Sequence, residues 1–257
     1  ISWISLIFNA LAWQRIILWL GYDYAELNII SLFLKTNLLK YLPGGIWHFV
    51  ERYRSLKPTI GIEGSIYSVL LEPLFMILAA LFWVPFSTFN IALYILCILP
   101  LILLARPFMY PTIEFLKRFK ASDLRKIDSG ILIQEHSSEI DILFYPCKAI
   151  FAEILFVGLK FLSFFCCLYS FSINESLSLF TWLSIFSLAW IAGLVVPSAP
   201  GGVGVFEAAI LLFISDSVPN SAIISSLLCY RLIMTFADLW GSIIILPSRL
   251  SFPFRNR

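Results

Sequence analysis

Pro43-Gly44-Gly45-Ile46-Trp47-His48-Phe49 and, far downstream, Pro200-Gly201-Gly202-Val203-Gly204-Val205-Phe206 interrupt apolar runs in the same way. Each reads Pro-Gly-Gly, an aliphatic residue, two more residues and then Phe. An acid follows, Glu51 after the first and Glu207 after the second. In a soluble chain this pattern is a turn. With apolar segments on both sides, it predicts helices broken inside a membrane. A pair of such breaks in an internal repeat points to a transport site.

The rest of the composition agrees. Of 257 residues, 60% are hydrophobic and 13% charged, and the mean hydropathy is +0.91. A soluble domain carries roughly a quarter charged residues. The apolar runs are continuous rather than alternating, which excludes a transmembrane β-barrel. The expected class is an all-α, polytopic integral membrane protein, a single transmembrane domain over 1–257. The net charge of +2 gives no reason to expect nucleic acid. The chain begins with Ile1, and no cleavable signal is recognisable, so it reads as lacking its natural start. Cys97, Cys147, Cys166, Cys167 and Cys229 form no CxxC or Cys/His spacing, and His48 and His136 stand far apart. Neither a metal nor another cofactor is expected.

A span needs about 20 apolar residues. Ile1–Leu20 reads as the end of a span, because Gln14 and Arg15 close its apolar part early. Leu27–Leu42, with Lys35, Asn37 and Lys40 interleaved, suits a helix at the interface or dipping part-way in. The first Pro-Gly-Gly ends it. Ile46–Leu56 carries Glu51, Arg52 and Arg54, and Lys57-Pro58 closes the unit. Ser65–Val84 and Phe89–Ala105 are spans joined by a hairpin at Pro85-Phe86-Ser87-Thr88. Residues 106–147 form the one long polar connection, its first half amphipathic and interfacial. Lys148–Phe171 and Leu177–Val196 are further spans. After the second Pro-Gly-Gly, Val203–Ile214 rises about 18 Å as a helix, too short to cross. Ser215–Asn220 turns, and Ser221–Leu246 is the last span. The expectation is about six transmembrane helices plus two broken or re-entrant elements. Basic residues at 106–126 place the 106–147 connection in the cytoplasm.

Ionisable residues inside spans are costly and mark cavities or partners. Glu72 precedes Pro73, where a kink is expected. Glu153 and Lys160 share a face of one span, as Arg231 and Asp238 do on the last. The bland alternative is internal ion pairs that fix helix packing. Beside a broken helix, Arg231, Asp238 and Glu207 favour a polar cavity instead. Free N–H groups of a helix starting after Gly202 suit an anion such as phosphate. Arg231 can add a bidentate contact, with Glu207 and Asp238 balancing it or responding to a proton or a cationic headgroup. The eight tryptophans, Trp47 included, read as lipid-facing or interfacial anchors.

Three stretches carry a resemblance: Leu42-Pro43-Gly44-Gly45 with Arg52; Pro197 through Pro200-Gly201-Gly202-Val203-Gly204-Val205-Phe206-Glu207-Ala208; and Tyr230-Arg231-Leu232. In order and spacing the chain resembles the membrane domain of the lysylphosphatidylglycerol synthetase/flippase family in its stand-alone form. Trp47-His48 departs from the small residues expected there. The resemblance implies a flippase-like domain, not an enzyme, in the bacterial inner membrane, with a first family span missing. The implied substrate is a lipid with an anionic phosphate headgroup, an aminoacylated phospholipid or a glycolipid or polyprenyl-phosphate-linked one. The expected binding residues are Arg231, Gly201, Gly202, Gly204, Glu207, Asp238, Pro43, Gly44, Gly45 and Arg52, the last at the cytoplasmic mouth. The bilayer lipid is the expected partner, with a second copy or a lipid-modifying enzyme as further ones. An ion-coupled transporter of a small solute and a membrane partner of a glycosyltransferase are the alternatives. A lipid-linked transferase would need clustered acids or a Ser/His pair, and no such group lies beside a span.

Overall fold

In lipid, backbone polar groups must be satisfied within the segment, and continuous apolar runs achieve this as helices. The computed structural model describes residues 1–24, 27–87, 91–100, 145–196, 204–214 and 219–244, and every regular element among them is helical. The α-helices are α1 (Ser2–Trp19), α2 (Ile29–Thr36), α3 (Trp47–Trp83), α4 (Ile91–Ile98), α5 (Cys147–Ser170), α6 (Leu179–Val195), α7 (Val205–Phe213) and α8 (Asn220–Ile244). Single 3-10 turns follow α2 (Asn37–Tyr41) and α3 (Val84–Ser87).

Among the described residues, three stretches are long and apolar enough to cross a membrane: Trp47–Ser87, Cys147–Ser170 and Ser221–Ile244. Leu179–Val195 is apolar but shorter. The polar connection at 106–147 lies outside the described residues except for its last three, and so does most of the second break, 197–203.

Helix α5 is the hub, packed by α1, α3, α8 and α6. α1 runs antiparallel to it. Ser2 Oγ meets Ser163 Oγ at 2.5 Å near one end. Ile16 and Leu20 pack with Ala149 and Ile150 at the other. The main core joins α5, α6, α7 and α8 through Phe164, Phe186, Phe206 and Tyr230. Phe164 and Tyr230 have ring centroids 5.5 Å apart, and Phe206 and Tyr230 5.8 Å. The second broken element is therefore anchored by Phe206, the aromatic residue that both Pro-Gly-Gly motifs share in position.

One expectation about α3 needs correction. The helix does not close at Lys57-Pro58; it continues to Gly61, where φ +75 and ψ 178 break it. That conformation is open essentially to glycine alone, and the freed Gly61 carbonyl accepts the Ser65 hydroxyl at 2.5 Å. Pro73 lies inside α3 with helical dihedrals, and Gly61 is the residue of α3 without them.

The order of parts recurs. An incoming helix (α2 with its 3-10 turn, or α6) meets a Pro-Gly-Gly break. A shorter outgoing leg follows, 47–60 or α7. A long helix comes next, 62–83 after the interruption at Gly61 in the first case and α8 in the second.

Candidate functional site

The first break is built by its glycines. Gly44 (φ +98) and Gly45 (φ +64) take backbone angles that L side chains avoid. A methyl group on Gly45 would meet nothing within 4 Å, so the requirement there is conformational rather than steric. The turn is closed by Gly45 N–H donating to Leu42 O at 3.2 Å and by the Trp47 indole donating to Pro43 O at 2.8 Å. Pro43 and Gly44 are exposed. Trp47 is thus a turn lock as well as an exposed aromatic residue.

Arg52 is not at a surface mouth. It is fully buried and donates to the Glu72 carboxylate, linking the outgoing leg to the long part of α3. Its Nε donates to Thr36 Oγ1 at 3.1 Å. Its guanidinium lies 3.9 Å from the Phe33 ring centroid and 5.0 Å from that of Trp13. A buried charge of this kind needs a full complement of partners, and four residues from α1, α2 and α3 supply them.

At the second break, Gly204 (φ +91) starts α7. Gly201 and Gly202 lie outside the described residues. The Gly204 N–H donates to Glu207 Oε2 at 2.7 Å. Arg231 of α8 donates through Nε to Glu207 Oε1 and through Nη2 to Glu207 Oε2 at 3.2 Å. The Arg231 guanidinium also lies 5.4 Å from the Phe206 ring. Glu207 therefore occupies the place expected for a phosphate, at the helix N-terminus and against the arginine. The pair is partly open, with side chains 25% and 23% exposed.

Asp238 does not balance Arg231. Seven residues along α8 leave it facing the first element instead. Its Oδ1 accepts from Asn37 Nδ2 at 2.8 Å, and its Oδ2 accepts from Tyr41 Oη at 2.6 Å and pairs with Lys40 Nζ at 2.7 Å. The Ser242 hydroxyl adds a bond to Leu34 O at 2.9 Å. Tyr41 lies within electrostatic reach of Arg231 as well as Asp238. The 3-10 turn before the first break is thus docked on the helix after the second. Asn37, Lys40, Tyr41 and Glu72 were missed as partners. Lys40 and Asn37 carried a signal, as polar residues inside an apolar stretch; Tyr41 carried none.

Glu153 and Lys160 do not pair with each other. Lys160 is fully buried, donates to Met234 Sδ at 3.1 Å and lies 5.5 Å from the Phe156 ring. Glu153 is fully buried, and neither carboxylate oxygen has a partner among the described residues.

A family model described as the lysylphosphatidylglycerol synthase TM region matches residues 60–241. No curated protein and no solved structure shows significant similarity to the chain. The matched segment holds Glu72, Glu153, Lys160, the second Pro-Gly-Gly, Glu207, Arg231 and Asp238, and it starts after the first break. The three stretches of membrane-crossing length among the described residues lie largely within the same segment. The match covers most of the chain, which is an integral membrane protein and belongs to the lysylphosphatidylglycerol synthase transmembrane-region family.

Proposed function

We propose that the chain moves a lipid with an anionic phosphate headgroup between leaflets, a translocator rather than an enzyme. Membership of the family supports a lipid-related role in the membrane. The observation that carries the finer reading is the setting of Arg231. Its guanidinium and the Glu207 carboxylate are each about a quarter exposed. They sit on helices whose other exposed residues are large and apolar, among them Leu212, Leu228, Leu232 and Phe236. A polar pair reached across lipid-facing side chains suits a molecule whose tail stays in the bilayer while its headgroup enters.

Glu207 fits this role because it holds the donors that a phosphate would use, the Gly204 N–H and the Arg231 fork. A headgroup phosphate exchanges with that carboxylate without leaving either donor bare. Gly201 and Gly202, ahead of the same helix start, would add backbone donors. Asp238, Asn37, Lys40 and Tyr41 would hold the first element against α8 while the exchange occurs. Pro43, Gly44, Gly45 and Arg52 would keep that element broken and docked rather than touch the lipid. We place the protein in the bacterial inner membrane with 106–147 on the cytoplasmic side.

The test is headgroup dependence. Two fluorescent lipids with the same tails, one a phosphatidylglycerol and one a neutral diacylglycerol ether, are reconstituted with the purified protein. Protein-dependent movement of the first, inhibited by excess unlabelled anionic phospholipid, is expected. Equal inhibition by neutral lipid would remove the phosphate from the account.

A further inference from the structure

One buried charge remains unexplained by the site above. Glu153 lies on α5 with no exposure, and Oε1 and Oε2 both lack a hydrogen-bond donor among the described residues. An ionised carboxylate in that state is far too costly to keep in hydrocarbon. The groups facing it decide what it can do. α3 presents Glu72 and Arg52, the charges that act on it. α1 packs along α5 but has Arg15 as its one charged residue, and that side chain is exposed. α6 carries no titratable residue. α8 carries Arg231 and Asp238, which are bonded to Glu207 and to Asn37, Tyr41 and Lys40 respectively. Arg52 is bonded to Glu72 and Thr36 and makes no hydrogen bond to Glu153.

A second unsatisfied oxygen belongs to the same region. Asn9 of α1 is buried, and its Oδ1 has no partner. The antiparallel register, with Ser2 beside Ser163 and Ile16 against Ala149 and Ile150, puts Asn9 between the levels of Glu153 and Lys160. A protonated Glu153 has an O–H to donate, and Asn9 Oδ1 is an acceptor at a suitable level. A metal ion fits less well, since it takes about six oxygens and Glu153 and Asn9 offer three unsatisfied ones.

We propose that Glu153 is a proton-binding site inside the membrane domain, exchanging one proton as Arg52 turns between Glu72 and Glu153. When Arg52 is on Glu72, Glu153 holds the proton as the neutral acid. When Arg52 swings to Glu153, the proton leaves to water, and Glu72 stays ionised and opens to water. Because Arg52 also fixes Thr36 of α2 through its Nε, the exchange bears on the element that docks at Asp238. The coupling of that proton to lipid movement rests on the translocation reading; the binding of the proton does not.

The experiment is infrared spectroscopy of the full chain in liposomes, with carbon-13 glutamate to mark acid carbonyl bands. A protonated-acid band that is present in acid buffer, lost in alkaline buffer and absent from Glu153→Gln is expected. Gln is the isostere of the neutral acid, so this variant keeps the packing. In Glu72→Gln, Arg52 has only Glu153 to serve, and the band should be lost at markedly lower pH than in wild type. A band that never titrates would make Glu153 a permanently protonated packing residue and overturn the proposal. Loss of the band on adding sodium at constant pH would overturn it in favour of a metal ion. A titrating band without any lipid movement in the same vesicles would sink the translocation reading and leave the proton site standing. Lipid movement with a fixed band would do the reverse.

Discussion

Glu207 and Arg231 close a two-point ion pair after the second break, from the outgoing leg to the long helix. Arg52 and Glu72 join the corresponding leg and helix after the first break, with acid and base exchanged. The likeness extends to the ring beside each guanidinium, Phe206 for Arg231 and Phe33 for Arg52. It does not extend to burial. Arg52 is sealed in, whereas Arg231 is a quarter exposed. That difference separates a pair closed to anything outside the protein from a pair that a lipid headgroup can reach.

Arg52→Ala should be strongly destabilising. It leaves Glu72 as a buried carboxylate without its cation, a change that costs about 3–5 kcal/mol. Thermal unfolding in detergent should show a large drop. The double change Arg52→Met, Glu72→Leu removes both charges and should recover much of the loss. A double variant as unstable as the single one would argue that the pair is not the cause.

Arg231→Ala should behave differently. The partner it abandons, Glu207, is partly exposed and keeps the Gly204 N–H, so the unfolding midpoint should move little. Lipid movement should fall to background. Glu207→Gln keeps the shape but weakens the resident competitor, so half-saturation by an anionic lipid should come at lower lipid content than in wild type.

Gly61→Ala should cost about 1–3 kcal/mol from the backbone alone. A methyl group there meets nothing within 4 Å. Gly64→Ala is a steric change instead, because its methyl carbon would lie 2.7 Å from the Tyr22 ring. Replacing Tyr22 by Ala should rescue Gly64→Ala and leave Gly61→Ala unchanged, as read from paired melting curves.

Asp238→Asn should loosen the clasp between the 3-10 turn and α8. Lys40 loses its carboxylate partner at 2.7 Å. Its amine should then react several-fold faster with a membrane-permeant acylating reagent, with digestion and mass spectrometry as the readout. Unchanged labelling would mean that Lys40 is held by something else.

What could be read in the sequence follows from distance along the chain. Glu207 and Arg231 both follow the second Pro-Gly-Gly closely in the chain, so their meeting was legible. The membrane class and the short helix after the second Pro-Gly-Gly were legible too, because both are local features of pattern and composition. Arg52 was misleading because Arg54 and Lys57 stand beside it and suggest a solvated basic edge. Only its spacing hints otherwise: Arg52, Leu56 and Ile60 lie four apart on one buried stripe. The Asp238 clasp was out of reach, since Asn37 and Tyr41 are some two hundred residues away. Seven-residue spacing put Arg231 and Asp238 on one face of α8, but the neighbours of a face change along its length.

The most direct measurement is lipid movement itself. Liposomes holding the purified protein and a fluorescent anionic phospholipid are treated with a membrane-impermeant quencher. The account predicts quenching beyond the outer-leaflet fraction with the wild type, and quenching of the outer leaflet alone with a folded Arg231→Ala. Wild-type quenching that stops at the outer leaflet, or a folded Arg231→Ala that moves lipid at the wild-type rate, would contradict it.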